Sequence, residues 1–421
     1  MDLKKVTWRQ WLEILIWCLA AFFFCEELAQ FEQRFKRILV VAIMCIISII
    51  IHLRRTLADP DYEKEVWGLR QKTGRDCRYD WLRVLAVVMV IMTHAIQVDL
   101  HENMVNGRWV EFIFIVIYML CLACNLIYVM LSGALLIPYR DESIWKFYTK
   151  RISAVALPMG IYYFFYLWQA GELAGGGILY VMQNFLLRLC QGNTPEAPHY
   201  WLMYVLLSIY IVIPFFRYMF WNMPYKVLTG AVILGLFLMG VDLFCPFTLG
   251  ISSFLGKWEG IAIIGYWVTR PETRKYYCWL MRFGIFAFCV MAGMIWQNVD
   301  YRTLCGNHSP VMALICMGMF AAVLKYGGIF SKGNTLLRVL SKYSYSLILV
   351  HWWALHWIVR GKLDIHIGQY GGMGLIPETF ITLAVSLLIS FLIDNLVVMP
   401  VQMLFDWICR KSEMESMKKS L

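Results

Sequence analysis

An arginine and a histidine stand eleven residues apart in the apolar stretch YDWLRVLAVVMVIMTHAIQ, which runs from Tyr79 to Gln97. A helix turns about 100° per residue, so Arg83 and His94 lie on one helix face, three turns plus roughly 20° apart. The rise between them is about 16 Å. This spacing predicts Arg83 at a membrane boundary and His94 near the bilayer centre, where an ionisable side chain usually faces a cavity or a partner.

His94 is the first candidate for chemistry in this stretch. A low dielectric favours the neutral imidazole, and a neutral imidazole can accept a proton. His94 can equally be a core histidine bonded to a neighbouring helix, with Arg83 as a headgroup anchor, and the residues alone leave both hypotheses open. Asp80 lies three residues before Arg83, a spacing at which the two side chains can simply pair.

The composition indicates a protein that crosses a membrane many times. Of its 421 residues, 60% are hydrophobic and 16% are charged, whereas soluble domains carry roughly 25% charged residues. The net charge is +10, but Lys and Arg are grouped between apolar stretches, which argues against a nucleic-acid interface. Cys121 and Cys124 form a CxxC inside an apolar stretch with no second pair, so no metal site is predicted.

We predict an all-α fold, a polytopic transmembrane helix bundle. Two apolar segments, near 11–25 and 38–53, precede a ten-span core. The ten spans are predicted near 81–98, 109–137, 152–170, 199–220, 227–244, 251–268, 279–297, 309–326, 343–360 and 376–400. The chain then has three parts: an N-terminal extension at 1–78, the core at 79–408 and a basic tail at 409–421.

The loops between these spans alternate in charge. One alternate set carries 25 Lys and Arg in total and the other carries 6. Cytoplasmic loops hold an excess of Lys and Arg, so both ends of the ten-span core are predicted in the cytoplasm. The expected location is an inner or plasma membrane, with lipid as a constant partner.

Five motifs resemble the acyltransferase 3 family of bacterial membrane enzymes, in the family's order. The family's opening helix carries an Arg, ten residues and a His, as Arg83 and His94 do here. The others are VMLSGALLI from Val129, FYTKRISAVALP from Phe147, HYWLMYVLLSIYIVIPFF from His199 and SKYSYSLILVHWW from Ser341. The resemblance runs from about Tyr79 to Pro400. Within the family, the sequence most resembles the branch that O-acetylates surface polysaccharide precursors.

This resemblance implies an O-acyltransferase. The expected donor is cytoplasmic acetyl-coenzyme A, and the expected acceptor is a hydroxyl of an extracytoplasmic or lipid-linked glycan. His94 would act as general base or carry the acyl group briefly, and the sequence does not separate these mechanisms. Arg83, Lys150 and Arg151 would meet the coenzyme A phosphates, although the last two serve equally well as membrane anchors.

Other residues are expected in supporting roles. His199 and Tyr204 begin a predicted span beside the longest outer loop, where an external acceptor would approach, and an interfacial cap is the alternative role for His199. His351 should lie near the level of His94, where it would orient His94 or the acyl group, and a structural hydrogen bond between helices is the alternative. Ser132 precedes a glycine and is predicted to be structural rather than nucleophilic, and Asp80 is expected beside Arg83.

The sequence departs from the family pattern at two places. A second Arg that some members carry near Ala154 is absent, and Asp394 stands where a basic residue is expected. A transporter for a polysaccharide or small solute is the main alternative function, but it would predict paired broken helices in matching halves, which the sequence does not show. A membrane scaffold without activity is the third hypothesis, and it would tolerate loss of His94.

Overall fold

The computed structural model describes residues 34–59, 61–70, 75–101, 107–138, 140–172, 178–192, 194–245, 252–330, 334–366 and 373–420. Over these residues the fold is all-α, and they contain no strand. This confirms the predicted fold class. The first predicted apolar segment, 11–25, lies outside the described residues.

The longer helices are numbered here in chain order. They are α1 (Arg34–Ala58), α2 (Cys77–His101), α3 (Arg108–Cys121), α4 (Ala123–Leu136), α5 (Ile144–Arg151), α6 (Leu157–Gln169), α7 (Ile178–Gln191), α8 (Trp201–Phe220), α9 (Tyr225–Phe244), α10 (Trp258–Thr269), α11 (Tyr277–Trp296), α12 (Pro310–Tyr326), α13 (Thr335–Trp353), α14 (Leu375–Ile393) and α15 (Met399–Ser420). Among the residues that the structure describes, three segments form π-helix: Ile152–Ala156, Ala354–Arg360 and Asp394–Val398.

Seven helical stretches among the described residues are long and apolar enough to cross a membrane. They are Cys77–Gln97, Arg108–Leu136, Pro198–Phe220, Tyr225–Leu243, Pro271–Trp296, Pro310–Ile329 and Leu375–Lys411. Each coincides with a predicted span. The remaining three predicted spans contain α6, α10 and α13. Helix α10 has only twelve residues, and α13 carries several polar side chains, so the count of ten stays a prediction.

The chain divides into two compact units. The first comprises Met1–Thr73, Thr149–Pro198 and Ser386–Leu421, and the second comprises Gly74–Tyr148 and His199–Val385. Both units draw on separated stretches of sequence. The predicted domain boundaries at residues 78 and 408 follow the order of the sequence. The two compact units do not test them, so these boundaries stay a prediction.

In the first unit, α1 docks on the π-helical segment Asp394–Val398. The Ser48 hydroxyl donates to the carbonyl of Leu396, and Nε2 of His52 lies 3.2 Å from the carbonyl of Asn395. Nδ1 of His52 lies 3.0 Å from the Tyr62 hydroxyl. The second predicted N-terminal segment is thus a helix that is hydrogen-bonded to the last helical stretch. Asp394 itself accepts a hydrogen bond of 2.9 Å from Tyr162.

In the second unit, glycines allow α4 and α10 to cross at backbone contact. A Cβ atom added to Gly133 would lie 1.8 Å from the carbonyl oxygen of Ala262, and one added to Gly265 would lie 2.1 Å from that of Met130. Side chains at these two positions would force the helices apart. Close approach through small residues is the usual way that membrane helices gain packing contact, and it is what the sequence predicted beside Ser132.

Candidate active site

A buried carboxylate holds two arginines at the start of α2. Asp80 is 1% exposed. Its two oxygens accept hydrogen bonds from Nε and Nη2 of Arg75, each of 2.9 Å, and Oδ1 also accepts one of 3.0 Å from Nη1 of Arg83. The hydroxyl of Ser341 on α13 donates to the same oxygen at 2.6 Å. The pairing of Asp80 with Arg83 that the sequence suggested is therefore present, as part of a larger network.

Arg75, Arg83 and Asp80 together carry one net positive charge, and Arg83 has more N–H donors than it uses on Asp80. A guanidinium has five N–H groups, and Arg83 contributes one of them to Asp80. The other nearby carboxylate, Asp76, is bound by Arg78 through three side-chain hydrogen bonds of 2.6 to 3.0 Å. Burial alone would raise the pKa of Asp76, but the hydrogen bonds from Arg78 outweigh it and hold the pKa below its usual value. Asp76 is thus committed to Arg78.

Further along the same two helices, His94 and His351 meet a third histidine, His199, from the turn before α8. The ring centroid of His94 on α2 lies 5.2 Å from that of His351 on α13 and 6.3 Å from that of His199. The rings of His199 and His351 are 4.8 Å apart. The helices α2 and α13 therefore run parallel, because Asp80 contacts Ser341 near their first turns and His94 contacts His351 near their later ones.

Backbone carbonyls fix the tautomers of two of these histidines. Nδ1 of His351 lies 2.7 Å from the carbonyl of Ile348, and Nε2 of His199 lies 3.2 Å from the carbonyl of Leu349. A carbonyl only accepts, so each of these ring nitrogens must carry the proton. In the neutral rings the lone pairs then lie on Nε2 of His351 and Nδ1 of His199.

The cluster keeps uncommitted nitrogens in a buried setting. Nδ1 of His94 and Nε2 of His351 are buried and have no hydrogen-bond partner among the described residues. Such groups normally find partners, so each exception calls for an explanation. The indole of Trp352 packs against the His94 ring edge-on, with centroids 5.1 Å apart. A neutral His94 can accept a proton. An N–H group of the ring can then donate a hydrogen bond to the lone pair of a neighbouring imidazole.

An ion pair that the sequence analysis missed lies next to His94. Nε of Arg360 donates to Glu378 at 2.6 Å, and its Nη2 donates to the carbonyl of Ala95 at 2.9 Å. The Glu378 side chain is fully buried. The pair therefore anchors the backbone that carries His94. Its sequence signal was an acidic residue early in the last predicted span and an arginine at the end of the preceding one.

The remaining predicted site residues are distributed more widely. Lys150 and Arg151 end α5 and belong to the first unit, so their place at one donor site with Arg83 stays a prediction. Ser132 donates to the carbonyl of Tyr128 within its own helix at 2.9 Å, which fits its predicted structural role. Tyr204 is half-buried on α8.

His199 differs from its expected setting at the outer surface. It is 4% exposed and lies among the histidines described above. The 3₁₀ turn Pro198–Tyr200 precedes α8, and it places the ring of His199 beside those of His94 and His351. His199 is therefore a buried member of the histidine cluster, and its expected role on the acceptor side stays a prediction.

A cluster of three imidazoles invites a metal hypothesis. Within the described part of the chain, however, no group of three or more His, Cys, Asp or Glu side chains is arranged to hold a metal ion. Cys121 and Cys124 are buried thiols without a disulfide.

The fold and this site define a class, namely multi-pass helical membrane proteins in which one helix carries an arginine near its start and a histidine of a buried cluster further along. The chain belongs to the acyltransferase 3 family, because residues 78–395 match the acyltransferase domain that defines it. The protein is therefore a membrane-embedded acyltransferase, and the resemblance seen in the sequence is confirmed. No curated protein and no solved structure matches the chain.

Proposed function

We propose that this protein moves an acetyl group from cytoplasmic acetyl-coenzyme A to a hydroxyl of an extracytoplasmic or lipid-linked glycan. One observation carries the proposal: α2 presents a clamped arginine at one end and a histidine in a buried cluster about 16 Å further along. That separation suits a donor whose phosphates and thioester lie at opposite ends of an extended arm.

The donor's phosphates would bind at the arginine end. Arg83 and Arg75 lie against one buried carboxylate, so the pair retains positive charge and fixed orientation. A planar guanidinium can bind a phosphate through two hydrogen bonds, which a lysine ammonium cannot reproduce. Lys150 and Arg151 are proposed to add positive charge on the same side of the membrane.

His94 is proposed as the general base. The oxygen of the acceptor hydroxyl forms a bond to the thioester carbonyl carbon while its proton passes to His94. The carbon–sulfur bond then breaks, and the departing coenzyme A sulfur takes the proton from His94. While His94 is protonated, the lone pair on Nε2 of His351 can accept a hydrogen bond from it. His351 is thus a positioning residue for the charged intermediate.

The direct test incubates the purified protein with acetyl-coenzyme A labelled in the acetyl group and with candidate glycan precursors. Label should appear as an alkali-sensitive ester on the glycan. Label that accumulates on the protein and needs His94 would instead support a transient acyl-histidine. Failure of every glycan hydroxyl to accept label would overturn the proposed acceptor class.

The proposed direction of transfer requires a defined topology. Reporter fusions should place residues 54–78 and 409–421 in the cytoplasm and 171–198 outside, because the two alternate sets of loops carry 25 and 6 Lys and Arg in total. A fusion near residue 145 should also report the cytoplasm. An outside signal there would contradict the scheme and reverse the donor and acceptor sides.

A further inference from the structure

A second group of chemically active side chains lies beyond the histidine cluster in the second unit. The indoles of Trp201 and Trp258 have centroids 5.9 Å apart, and the imidazole of His308 packs edge-on against Trp258 at 4.6 Å. Beside them, Nζ of Lys257 binds Asp242 at 2.8 Å. These five side chains, here called the aromatic shelf, stand at the starts of α8, α10 and α12 and the end of α9.

The shelf lies at about the level of His94, measured along the helices. Helix α10 has twelve residues, which rise about 18 Å, whereas a hydrocarbon core measures roughly 30 Å. Asn307 accepts a hydrogen bond of 3.1 Å from Asn125, and Asn125 lies eleven residues before the end of α4, a rise of about 16 Å. The starts of α10 and α12 therefore lie near the level of His94.

The ion pair of Lys257 and Asp242 lies at the level where His94 is predicted near the bilayer centre, and its presence there calls for an explanation. Charged side chains within the membrane are costly, and they commonly mark substrate pathways. The Lys257 side chain is 35% exposed and that of Asp242 is 8% exposed, so the lysine is the more exposed member of the pair. Nδ1 of His308 is buried and has no hydrogen-bond partner among the described residues. Flat aromatic faces beside a few oriented polar groups are the usual composition of a small-molecule site.

We propose that the aromatic shelf is the acceptor subsite and that it binds a pyranose ring of the glycan, an inference that rests on the proposed function. The apolar C–H face of the sugar ring packs on the indole of Trp258. Ring hydroxyls hydrogen-bond to Lys257, Asp242 and Nδ1 of His308. Trp201 follows His199 by two residues, and the ring of His199 lies 6.3 Å from that of His94. The chain at the start of α8 therefore links the shelf to the histidine cluster.

A second tryptophan pair supplies the matched control. Trp109 and Trp296 have ring centroids 4.6 Å apart, and the guanidinium of Arg108 lies 4.8 Å from the Trp296 ring centroid. Trp109 is 65% exposed and stands at the first turn of α3. Its position is that of an aromatic residue at the membrane–water interface. If the shelf were only part of such a belt, both tryptophan pairs would respond alike to substitution.

The test measures sugar binding without donor, using the full-length protein in nanodiscs. The probes are a glucose tetrasaccharide and a galacturonic acid tetrasaccharide, followed by calorimetry and by intrinsic tryptophan fluorescence. We expect saturable binding of at least one probe by the wild type. Trp258→Ala should weaken it about 3- to 10-fold, the scale of an aromatic contact, and Trp258→Phe should retain most of it. Trp109→Ala should bind as the wild type does.

Acetyl-coenzyme A affinity, measured in parallel, should be unchanged in all three variants and shows that each is folded. Absence of saturable binding of both probes by the wild type would overturn the subsite, as would wild-type binding by Trp258→Ala. Sugar binding that depends on Trp258 without any acetyl transfer would overturn the proposed function and leave the subsite standing. If Trp258→Ala transfers acetyl groups with an unchanged KM for the acceptor, the subsite is overturned and the proposed function stands.

Discussion

Histidines in the two units are used in opposite ways. His52 in the first unit has partners at both ring nitrogens, the Asn395 carbonyl and the Tyr62 hydroxyl. In the second unit, Nδ1 of His94 and Nε2 of His351 are buried with no hydrogen-bond partner among the described residues. A buried polar group left unpaired costs about 1–3 kcal/mol. A histidine that only joins helices avoids that cost, so the uncommitted nitrogens favour a chemical role for the cluster.

The largest effect is expected on substitution of His94, and it tests whether the histidine cluster has a chemical role. Both His94→Ala and His94→Asn should lower turnover per folded molecule by about 10²- to 10⁴-fold, the usual contribution of a general base. Asparagine can keep a hydrogen bond but cannot take the proton. Turnover is measured on monodisperse protein, with acetyl-coenzyme A binding as the check on folding. An asparagine variant within a few-fold of wild type would leave His94 as a structural residue.

The next effect concerns the arginine end of α2. Arg83→Ala should reduce acetyl-coenzyme A affinity by about tenfold or more, since a hydrogen bond to a charged group contributes about 1.5–3 kcal/mol. Arg83→Lys should also weaken binding, because the planar fork is lost. Calorimetry with acetyl-coenzyme A measures both. Arg282→Lys, on a side chain that lies against Trp279, serves as the control and should bind normally. Wild-type affinity in Arg83→Ala would remove this residue from the donor site.

The buried ion pair beside His94 should respond in a way that separates positioning from simple stability. Glu378→Gln removes the charge that faces Arg360, and breaking such a pair typically costs about 3–5 kcal/mol of folding free energy. Glu378→Asp keeps the charge and should recover much of that stability. If the pair positions His94, kcat of the folded Asp variant should fall while the KM for acetyl-coenzyme A stays constant. Wild-type kcat in that variant would limit the pair to a structural role.

The smallest effect on turnover is expected at His52, whose substitution tests whether the histidine of the first unit is purely structural. His52→Ala removes hydrogen bonds to Asn395 and Tyr62, so the unfolding free energy should fall by about 1–3 kcal/mol. Turnover per folded molecule should be unchanged. Thermal unfolding monitored alongside the acetyl-transfer assay checks both statements. A large loss of turnover without loss of stability would show that the first unit takes part in the reaction.

Local patterns predicted the part of the site that lies on one helix. The face shared by Arg83 and His94 follows from helical periodicity alone, and the apolar lengths located α2, α8 and α12. The resemblance to a family also pointed to His351 on α13. These features depend on residues close in sequence, or on motifs that keep their order.

Contacts between distant segments could not be predicted in this way. Arg75 appeared only as one more basic residue in a polar stretch, and nothing local indicates that it shares Asp80 with Arg83. Arg360 and Glu378 lie at the ends of separate predicted spans, yet they pair with each other, and Arg360 also donates to the carbonyl of Ala95. The burial of His199 likewise depends on its contacts with His94 and His351, which are distant from it in sequence. A single sequence holds no record of such pairings.

The parallel contact of α2 with α13 has a consequence for how this chain can change over generations. Ser341 meets Asp80 near one end and His351 meets His94 near the other, so the two helices are locked in phase at two separate levels. One inserted residue between these levels would rotate the far end by about 100° and advance it by about 1.5 Å. The apolar residues between the two contacts can exchange for one another, but the length of each interval cannot drift without uncoupling the histidines from the arginines.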